Sequence, residues 1–256
     1  MQRIRIRYTK EDRVRFVSAR DLTAVWERAL RRTGLPIAYS EGFTPHAKVS
    51  FPDALPVGYA STGEYAELTF AAPIDPARGM ASLSAALPDG MDILTYAEVP
   101  DGAPKLARLL PVTLWELVYD AAAGAVVSQL RRLGEELLAA DVAEVIRHRP
   151  DGDRTIDVRP ALLTLHAHPR TEPAAATTAV LRAVLRNDGP NVRPSDLHSA
   201  LTARIAQDPH AGPGGDLPEP RLYRRVVQGS PQADGVADAL SLEVEALAPD
   251  RLAGAA

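Results

Sequence analysis

The N-terminus of the chain alternates polar and apolar residues, reading Arg-Ile-Arg-Ile-Arg at positions 3–7. A period of two is typical of a β-strand with unlike faces, so we expect Ile4 and Ile6 to point into the core. The arginines expected on the outer face are Arg3, Arg5 and Arg7. Residues 14–17 either continue this strand or form its hairpin partner.

A helix is predicted from about Leu22 to Thr33, because apolar residues recur there at helical spacing and Gly34 suits the C-terminal end. Extended segments at 35–39 and 47–51, a strand at 64–70, a helix at 76–87 and a strand at 91–99 follow. The resulting order, β-α-β-β-α-β, predicts a ferredoxin-like sandwich for the first half of the chain.

The second half of the chain shows the same order of elements. It contains predicted strands at 112–119, 162–168, 178–186 and 221–228, helices at 125–139 and 195–206, and a hairpin within 142–159. The predicted fold is therefore α+β, with two tandem ferredoxin-like (βαββαβ) domains, the second with an inserted β-hairpin. We assign residues 1–102 to the N-terminal domain, 110–229 to the C-terminal domain and 230–256 to a mobile acidic tail.

The composition narrows the possible chemistry. The 256-residue chain has no cysteine, which excludes a cysteine nucleophile, thiolate zinc sites and any iron–sulfur cluster held by this chain alone. It has no apolar run long enough to span a membrane, and its N-terminus lacks the apolar core of a secretory signal. We therefore expect a cytoplasmic protein without membrane contact, and no motif predicts a metal site or a cofactor.

Charge is unevenly distributed, although the net charge is only −4. Residues 1–50 hold eleven basic and five acidic side chains, whereas residues 229–256 hold five acidic side chains and one basic. This division favours a basic face that binds phosphates. A solvated strand face beside an acidic tail would give the same counts.

The segment from Tyr39 to Phe51 concentrates polar and aromatic side chains around a Gly/Pro-containing turn. His46 and Lys48 alternate along an extended chain, so both can face one side and bind a phosphate, with Phe43 or Phe51 as a stacking surface for a base. The alternative is a structural turn in which His46 bonds locally. The candidate RNA-binding residues are Arg3, Arg5, Arg7, Arg31, Arg32, Tyr39, Phe43, His46 and Lys48.

Several motifs carry a family resemblance. They are RFVSARD at 15–21, ERALRRTGLP at 27–36, the Y-S-x-G-F-x-P-H-x-K pattern at 39–48, PVG at 56–58, STGEY at 61–65, and more weakly DVRP at 157–160 and VRP at 192–194. With them the chain resembles the radical SAM-linked protein family, domains of unknown function fused to a cobalamin-binding radical SAM enzyme or encoded as its separate partner. Ala19 and Ala47 depart from the pattern, which implies His and Pro there.

The resemblance implies an association with a radical SAM enzyme, and the chain corresponds to the stand-alone form. Because radical SAM chemistry needs a three-cysteine motif, the partner would run the radical step. We therefore expect a non-catalytic companion that binds tRNA or rRNA and presents it to the modifying enzyme. Two alternatives remain open. One is a metal-independent RNA-processing enzyme using His46 and Lys48, and the other is a protein-only docking module for the radical SAM partner.

Overall fold

A computed structural model of the chain describes residues 1–120, 123–171, 177–189, 191–207 and 216–248. The fold is mixed α+β and divides into two compact units. The first unit comprises Met1–Leu110, Arg225–Ser230 and Ala237–Glu243, and the second comprises Pro111–Arg224, Pro231–Val236 and the described residues from Val244 onward. Within the described ranges, no helix is long and apolar enough to cross a membrane.

The first unit contains six regular elements before its C-terminal segments. They are β1 (Gln2–Lys10), α1 (Ala19–Thr33), β2 (Val49–Ser50), β3 (Ala60–Phe70), α2 (Pro76–Ala86) and β4 (Ile93–Glu98). Strand β1 pairs antiparallel with both β3 and β4, and β2 pairs antiparallel with β3. The strand order is therefore β4-β1-β3-β2, with β2 reduced to two residues.

Alternation along β1 places its isoleucines in the core of this unit, as predicted. Ile4 and Ile6 are fully buried in a cluster that includes Trp26 and Leu30 of α1 and Met80 of α2. Both helices therefore contribute to the core on the same face of the β1 strand, the face that carries the isoleucines. This packing fixes the position of α1 and leaves its other side exposed.

The segment after β1 differs from its prediction. Residues 14–17 do not extend the strand or pair with it, and Asp12–Phe16 form a short 3₁₀ helix. The chain turns because Asp12 adopts a positive φ of 46°, which a continuing strand cannot accommodate. A short apolar run is compatible with either structure, so periodicity could not distinguish them.

The second unit begins with β5 (Val112–Tyr119) and α3 (Ala123–Ala139). It continues with β6 (Glu144–Arg147), β7 (Arg154–Asp157), β8 (Leu162–Thr171), β9 (Thr177–Arg186) and α4 (Pro194–Gln207). Strand β9 pairs antiparallel with β5 on one side and with β8 on the other. Strands β6 and β7 form a separate antiparallel pair where the sequence predicts a hairpin.

The C-terminal part of the chain differs from the predicted mobile tail at 230–256. After β10 (Leu222–Gln232), residues Gly235–Asp238 form β11 and Val244–Ala246 form β12. Asp238 is buried in the first unit, so one of the acidic residues counted toward the tail is an internal ion-pair partner. A charge count cannot reveal such a role. Residues 249–256 of the predicted tail lie outside the described part of the chain.

Candidate functional site

Helix α1 presents a row of cationic side chains. The helix begins after Ser18, whose side chain accepts a hydrogen bond from Asp21 N (3.2 Å), and it ends at Gly34 with a φ of 66°. Because Trp26 and Leu30 face the core, the opposite side of the helix is exposed. The exposed arginines of this side, here called the α1 arginine face, are Arg20, Arg28, Arg31 and Arg32.

Within the described part of the chain, the α1 arginine face makes no internal ion pairs. At 100° per residue its four positions lie within about 120° of the helix circumference. None of the four guanidinium groups contacts a partner among the residues that the structure describes. Four unneutralised cations on one side of a helix give a local positive potential, which attracts a polyanion.

The loop from Tyr39 to Phe51, here called the aromatic loop, is held against α1. His46 Nδ1 lies 3.3 Å from Glu27 Oε1, and Glu27 is one turn before Arg31 on the helix. Within the loop, Ser40 N donates to His46 O (2.8 Å) and His46 N donates to Ser40 Oγ (3.0 Å). The local bonding that the alternative interpretation predicted for His46 is thus present, and it places the loop beside the α1 arginine face.

The tip of the aromatic loop leaves its rings in solvent. Phe43 is fully exposed, Tyr39 is 47% exposed, and Lys48 is exposed directly before β2. At the other end Phe51 turns inward, its ring centroid 6.4 Å from that of Trp26. An exposed aromatic ring on a loop that contacts a cationic helix is a combination suited to unpaired bases and their phosphates.

The arginines of β1 are placed differently from the prediction that they face solvent. Arg5 is only 5% exposed; its Nε binds Glu67 Oε2 at 2.8 Å and its Nη2 donates to Pro104 O at 2.5 Å. Arg3 shares Glu67 at 3.3 Å. Arg3 and Arg5 do lie on the face of β1 opposite the isoleucines. The alternating pattern shows which face is polar, but it cannot show whether other residues cover that face. In the structure, other residues bind the arginines there.

Arg7 is the most fully engaged of these arginines. It donates to Asp238 Oδ2 (2.9 Å), Thr62 O (2.8 Å) and Val226 O (3.0 Å). Tyr65 Oη donates to the same Asp238 oxygen at 2.6 Å. Of the nine predicted residues, the structure therefore brings together Arg31, Arg32 and the residues of the aromatic loop. The three β1 arginines are separate from this group, because they bind internal partners.

A cavity of about 280 Å³ lies in the first unit. Its polar lining comes from Tyr8 and Lys10 at the end of β1, Asp53, and Glu64 of β3. Its apolar lining is Ala19, Leu22, Phe51, Pro52, Ala54 and Leu55. Lys10 and Glu64 are 1% and 3% exposed, so both ionisable groups are buried against this space.

The ionisable groups of the cavity are held by specific contacts. Glu64 Oε1 accepts from Arg225 Nη1 at 3.0 Å, and Arg225 Nη2 binds Asp53 Oδ2 at 2.5 Å. Lys10 Nζ donates to Val17 O at 2.8 Å. Burial lowers the pKa of Lys10, while the charge of Glu64 acts in the opposite direction. Burial also raises the pKa of Tyr8 well above its ordinary value, with the Glu64 charge adding to the effect.

Comparison with known proteins places these features in a family. Residues 3–194 match the family described as "Uncharacterized protein conserved in bacteria (DUF2344)". The chain belongs to this family. The matched range includes the α1 arginine face, the aromatic loop and every residue that lines the cavity, whereas Arg225 and Asp238 lie beyond it.

Other comparisons add no functional information. No curated protein matches the chain. An encapsulated DyP-type peroxidase from Mycobacterium smegmatis, solved by cryo-EM, aligns over 89% of this chain and 90% of its own with 10% identity. Its TM-score of 0.21 is too low to support a structural argument.

Two sets of candidate site residues were not predicted from the sequence: two arginines of α1 and two ionisable residues of the cavity. Arg20 and Arg28 were readable from the helical spacing of α1, which places them on the side of Arg31 and Arg32. Lys10 and Glu64 gave no such signal, because a lysine after a strand and an acid in a strand are usually exposed. Among the described residues, no group of three or more His, Asp or Glu side chains is arranged to hold a metal ion.

Proposed function

We propose that the chain is a cytoplasmic, non-catalytic RNA-binding protein that presents tRNA or rRNA to a radical SAM modifying enzyme. The observation that carries the RNA-binding part is the α1 arginine face beside the aromatic loop. Its free guanidinium groups would bind phosphates, and Phe43 with Tyr39 would stack on unpaired bases.

The partner is inferred from the resemblance of the motifs at 15–65 to the radical SAM-linked family. The absence of cysteine agrees with a division of labour, since this chain cannot itself hold a thiolate-ligated cluster. A protein that only binds RNA needs a surface such as the one in the first unit: a helix, a loop attached to that helix, and exposed aromatic rings at the tip of the loop.

We also infer that each unit is a ferredoxin-like module. In the first unit, the order βαββαβ and the strand order β4-β1-β3-β2 support this assignment. In the second unit, β5, α3, β8, β9 and α4 follow the same succession once the β6–β7 pair is set aside. Arg221 N donates to Val118 O at 2.8 Å, which brings the start of β10 alongside β5.

The RNA-binding proposal is tested by the salt dependence of affinity. Fluorescence anisotropy with a labelled single-stranded RNA would be measured at several salt concentrations for the wild type and the Arg28→Gln/Arg31→Gln double variant. Each lost phosphate contact reduces the slope of log affinity against log salt by ~0.7, so the double variant should lose about 1.4.

The matched control is Arg132→Gln/Arg186→Gln, which removes the same charge from exposed positions of the second unit. The control should keep the wild-type slope. Equal losses in both double variants would mean diffuse charge attraction, and no RNA binding by the wild type at low salt would end the proposal. In that case the exposed ring of Phe43 favours the protein-only docking module.

An RNA-processing enzyme is a second candidate because of the pair between His46 and Glu27. A carboxylate that orients an imidazole is a common arrangement for a general base, and Lys48 on the same loop would stabilise a charged transition state. This candidate predicts that the purified protein cleaves or alters RNA without a partner. The product should disappear in His46→Ala while RNA binding at low salt persists.

A further inference from the structure

The cavity of the first unit is unusual for a protein interior because charged side chains face an open space. Burying a charge is costly unless the charge is paired or bound, and cores normally fill such space with apolar side chains. Here Lys10 and Glu64 are both almost fully buried, yet both line the cavity. A space that keeps ionisable groups at its wall is suited to a ligand.

Two residues of the polar wall can bond to a ligand in complementary ways, Lys10 as a donor and Glu64 as an acceptor. An ammonium has three N–H groups, and the structure describes one hydrogen bond from Lys10 Nζ, to Val17 O. A carboxylate has two oxygens, and Arg225 occupies Oε1 of Glu64. A ligand can therefore accept from Lys10 and donate to the second oxygen of Glu64.

The charges around the cavity balance. Lys10 and Arg225 contribute two positive groups, while Glu64 and Asp53 contribute two negative groups. A free anion would be attracted by the first pair and repelled by the second, and a cation would meet the reverse. This balance favours a neutral ligand that carries both a hydrogen-bond donor and an acceptor.

The remaining walls are apolar and include one aromatic ring. Phe51, Leu22, Leu55 and Pro52 line the cavity, and Phe51 is also the last residue of the aromatic loop. The volume of about 280 Å³ lies near the lower end of the range for small-molecule sites. A flat heterocycle with a polar edge fits an apolar space of this size.

We propose that the cavity binds a single nucleobase, with Lys10 and Glu64 contacting its polar edge and Phe51 its apolar face. The proposal rests on the proposed RNA-binding function and deepens it. The α1 arginine face and the tip of the aromatic loop hold the strand, and one unstacked base enters the cavity that the same loop borders. Single-stranded RNA is recognised in this way, by splayed bases that stack on aromatic rings and bond through their edges.

Ligand-detected NMR with the four ribonucleosides tests the cavity without the phosphate backbone. At least one nucleoside should bind the full chain, and ribose 5-phosphate should not. Lys10→Met, which keeps most of the length of the side chain and removes its donors, should lower the affinity for that nucleoside about tenfold or more. Binding of ribose 5-phosphate or inorganic phosphate in place of nucleosides would overturn the proposal, as would binding of no nucleoside.

Because Lys10→Met alters a buried group, a second variant keeps the test decisive if it does not fold. Ala54 is exposed at the cavity wall, so Ala54→Phe should fill the space while leaving the polar residues unsubstituted. It should abolish nucleoside binding, whereas Val57→Phe, an exposed position of the same segment outside the lining, should not. Unchanged nucleoside affinity in Ala54→Phe would refute the cavity as the site.

The two proposals fail separately. If nucleosides do not bind but the RNA salt slope still falls in Arg28→Gln/Arg31→Gln, the cavity proposal is wrong and the RNA-binding function stands. If nucleosides bind through the cavity and RNA does not bind at any salt concentration, the RNA-binding function is wrong and the cavity is a site for free nucleosides.

Discussion

Replacing Arg7 by glutamine should distinguish the arginines that stabilise the fold from those proposed to bind RNA. The guanidinium of Arg7 makes three hydrogen bonds of 2.8–3.0 Å, one of them in an ion pair with Asp238, which is 1% exposed. Removing one partner of a buried ion pair costs about 3–5 kcal/mol. Asp238 would keep the hydrogen bond from Tyr65, so we expect the lower end, about 3 kcal/mol.

The assay is urea denaturation combined with RNA binding at low salt. With a denaturant dependence of ~2 kcal/mol per molar urea, a loss of about 3 kcal/mol lowers the unfolding midpoint by about 1.5 M. The folded Arg7→Gln protein should bind RNA as the wild type does. Arg28→Gln should give the opposite pattern, with stability changed by at most about 0.5 kcal/mol and RNA affinity reduced.

The reasoning is refuted if Arg7→Gln leaves the unfolding midpoint unchanged and weakens RNA binding. That result would mean that the guanidinium leaves Asp238 for phosphate, so that the β1 arginines form the binding face after all.

Four further predictions concern stability. Glu116 binds three arginines of the second unit, Arg170 at 2.9 Å, Arg182 at 2.7 Å and Arg224 at 3.6 Å, so Glu116→Gln should destabilise the protein by about 3 kcal/mol in urea melts. Glu136→Gln, in an exposed pair on α3, should cost about 0.5 kcal/mol or less. Burial alone would raise the pKa of Asp238, but the Tyr65 hydrogen bond, backbone N–H groups and the Arg7 charge hold it below its ordinary value. The Asp238 carboxylate therefore makes its full contribution to the free energy of unfolding above the unfolded pKa of about 4, and this contribution is lost as the pH falls through the lower pKa of the folded protein. Asp238→Asn should therefore reduce the loss of stability at acid pH. A Cβ added at Gly63 would lie 2.8 Å from Val226 O, so Gly63→Ala should lower the midpoint, and an unchanged midpoint would contradict the close approach.

The sequence predicted local structure where one physical rule decides it. The two isoleucines of β1 are buried because a period of two has only one core face, and α1 ends at Gly34 because glycine adopts the left-handed conformation without strain. The helix was predicted to begin at about Leu22 and begins at Ala19, after the Ser18 cap. These features depend on neighbouring residues alone.

The environment of the charged residues could not be predicted, because it depends on segments distant in sequence. Arg7 meets Asp238, and Glu64 meets Arg225, in contacts that join residues more than 160 positions apart. The prediction that the β1 arginines face solvent would suit an isolated strand. It is wrong because Glu67 and Pro104 engage Arg5, and Val226 and Asp238, from the far end of the chain, engage Arg7.

The two departures from the resembled motifs affect different parts of the proposed site. Ala47 lies in the aromatic loop, where the pairing of Tyr39 with Ala47 keeps the backbone extended without the proline that the pattern implies. Ala19 lines the cavity at the first turn of α1, so a histidine there would place a larger side chain at the cavity wall. The wall of the cavity in this chain has a small residue at position 19. The α1 arginine face does not depend on that position, so the proposed RNA binding by this face and the proposed base binding in the cavity can be tested separately.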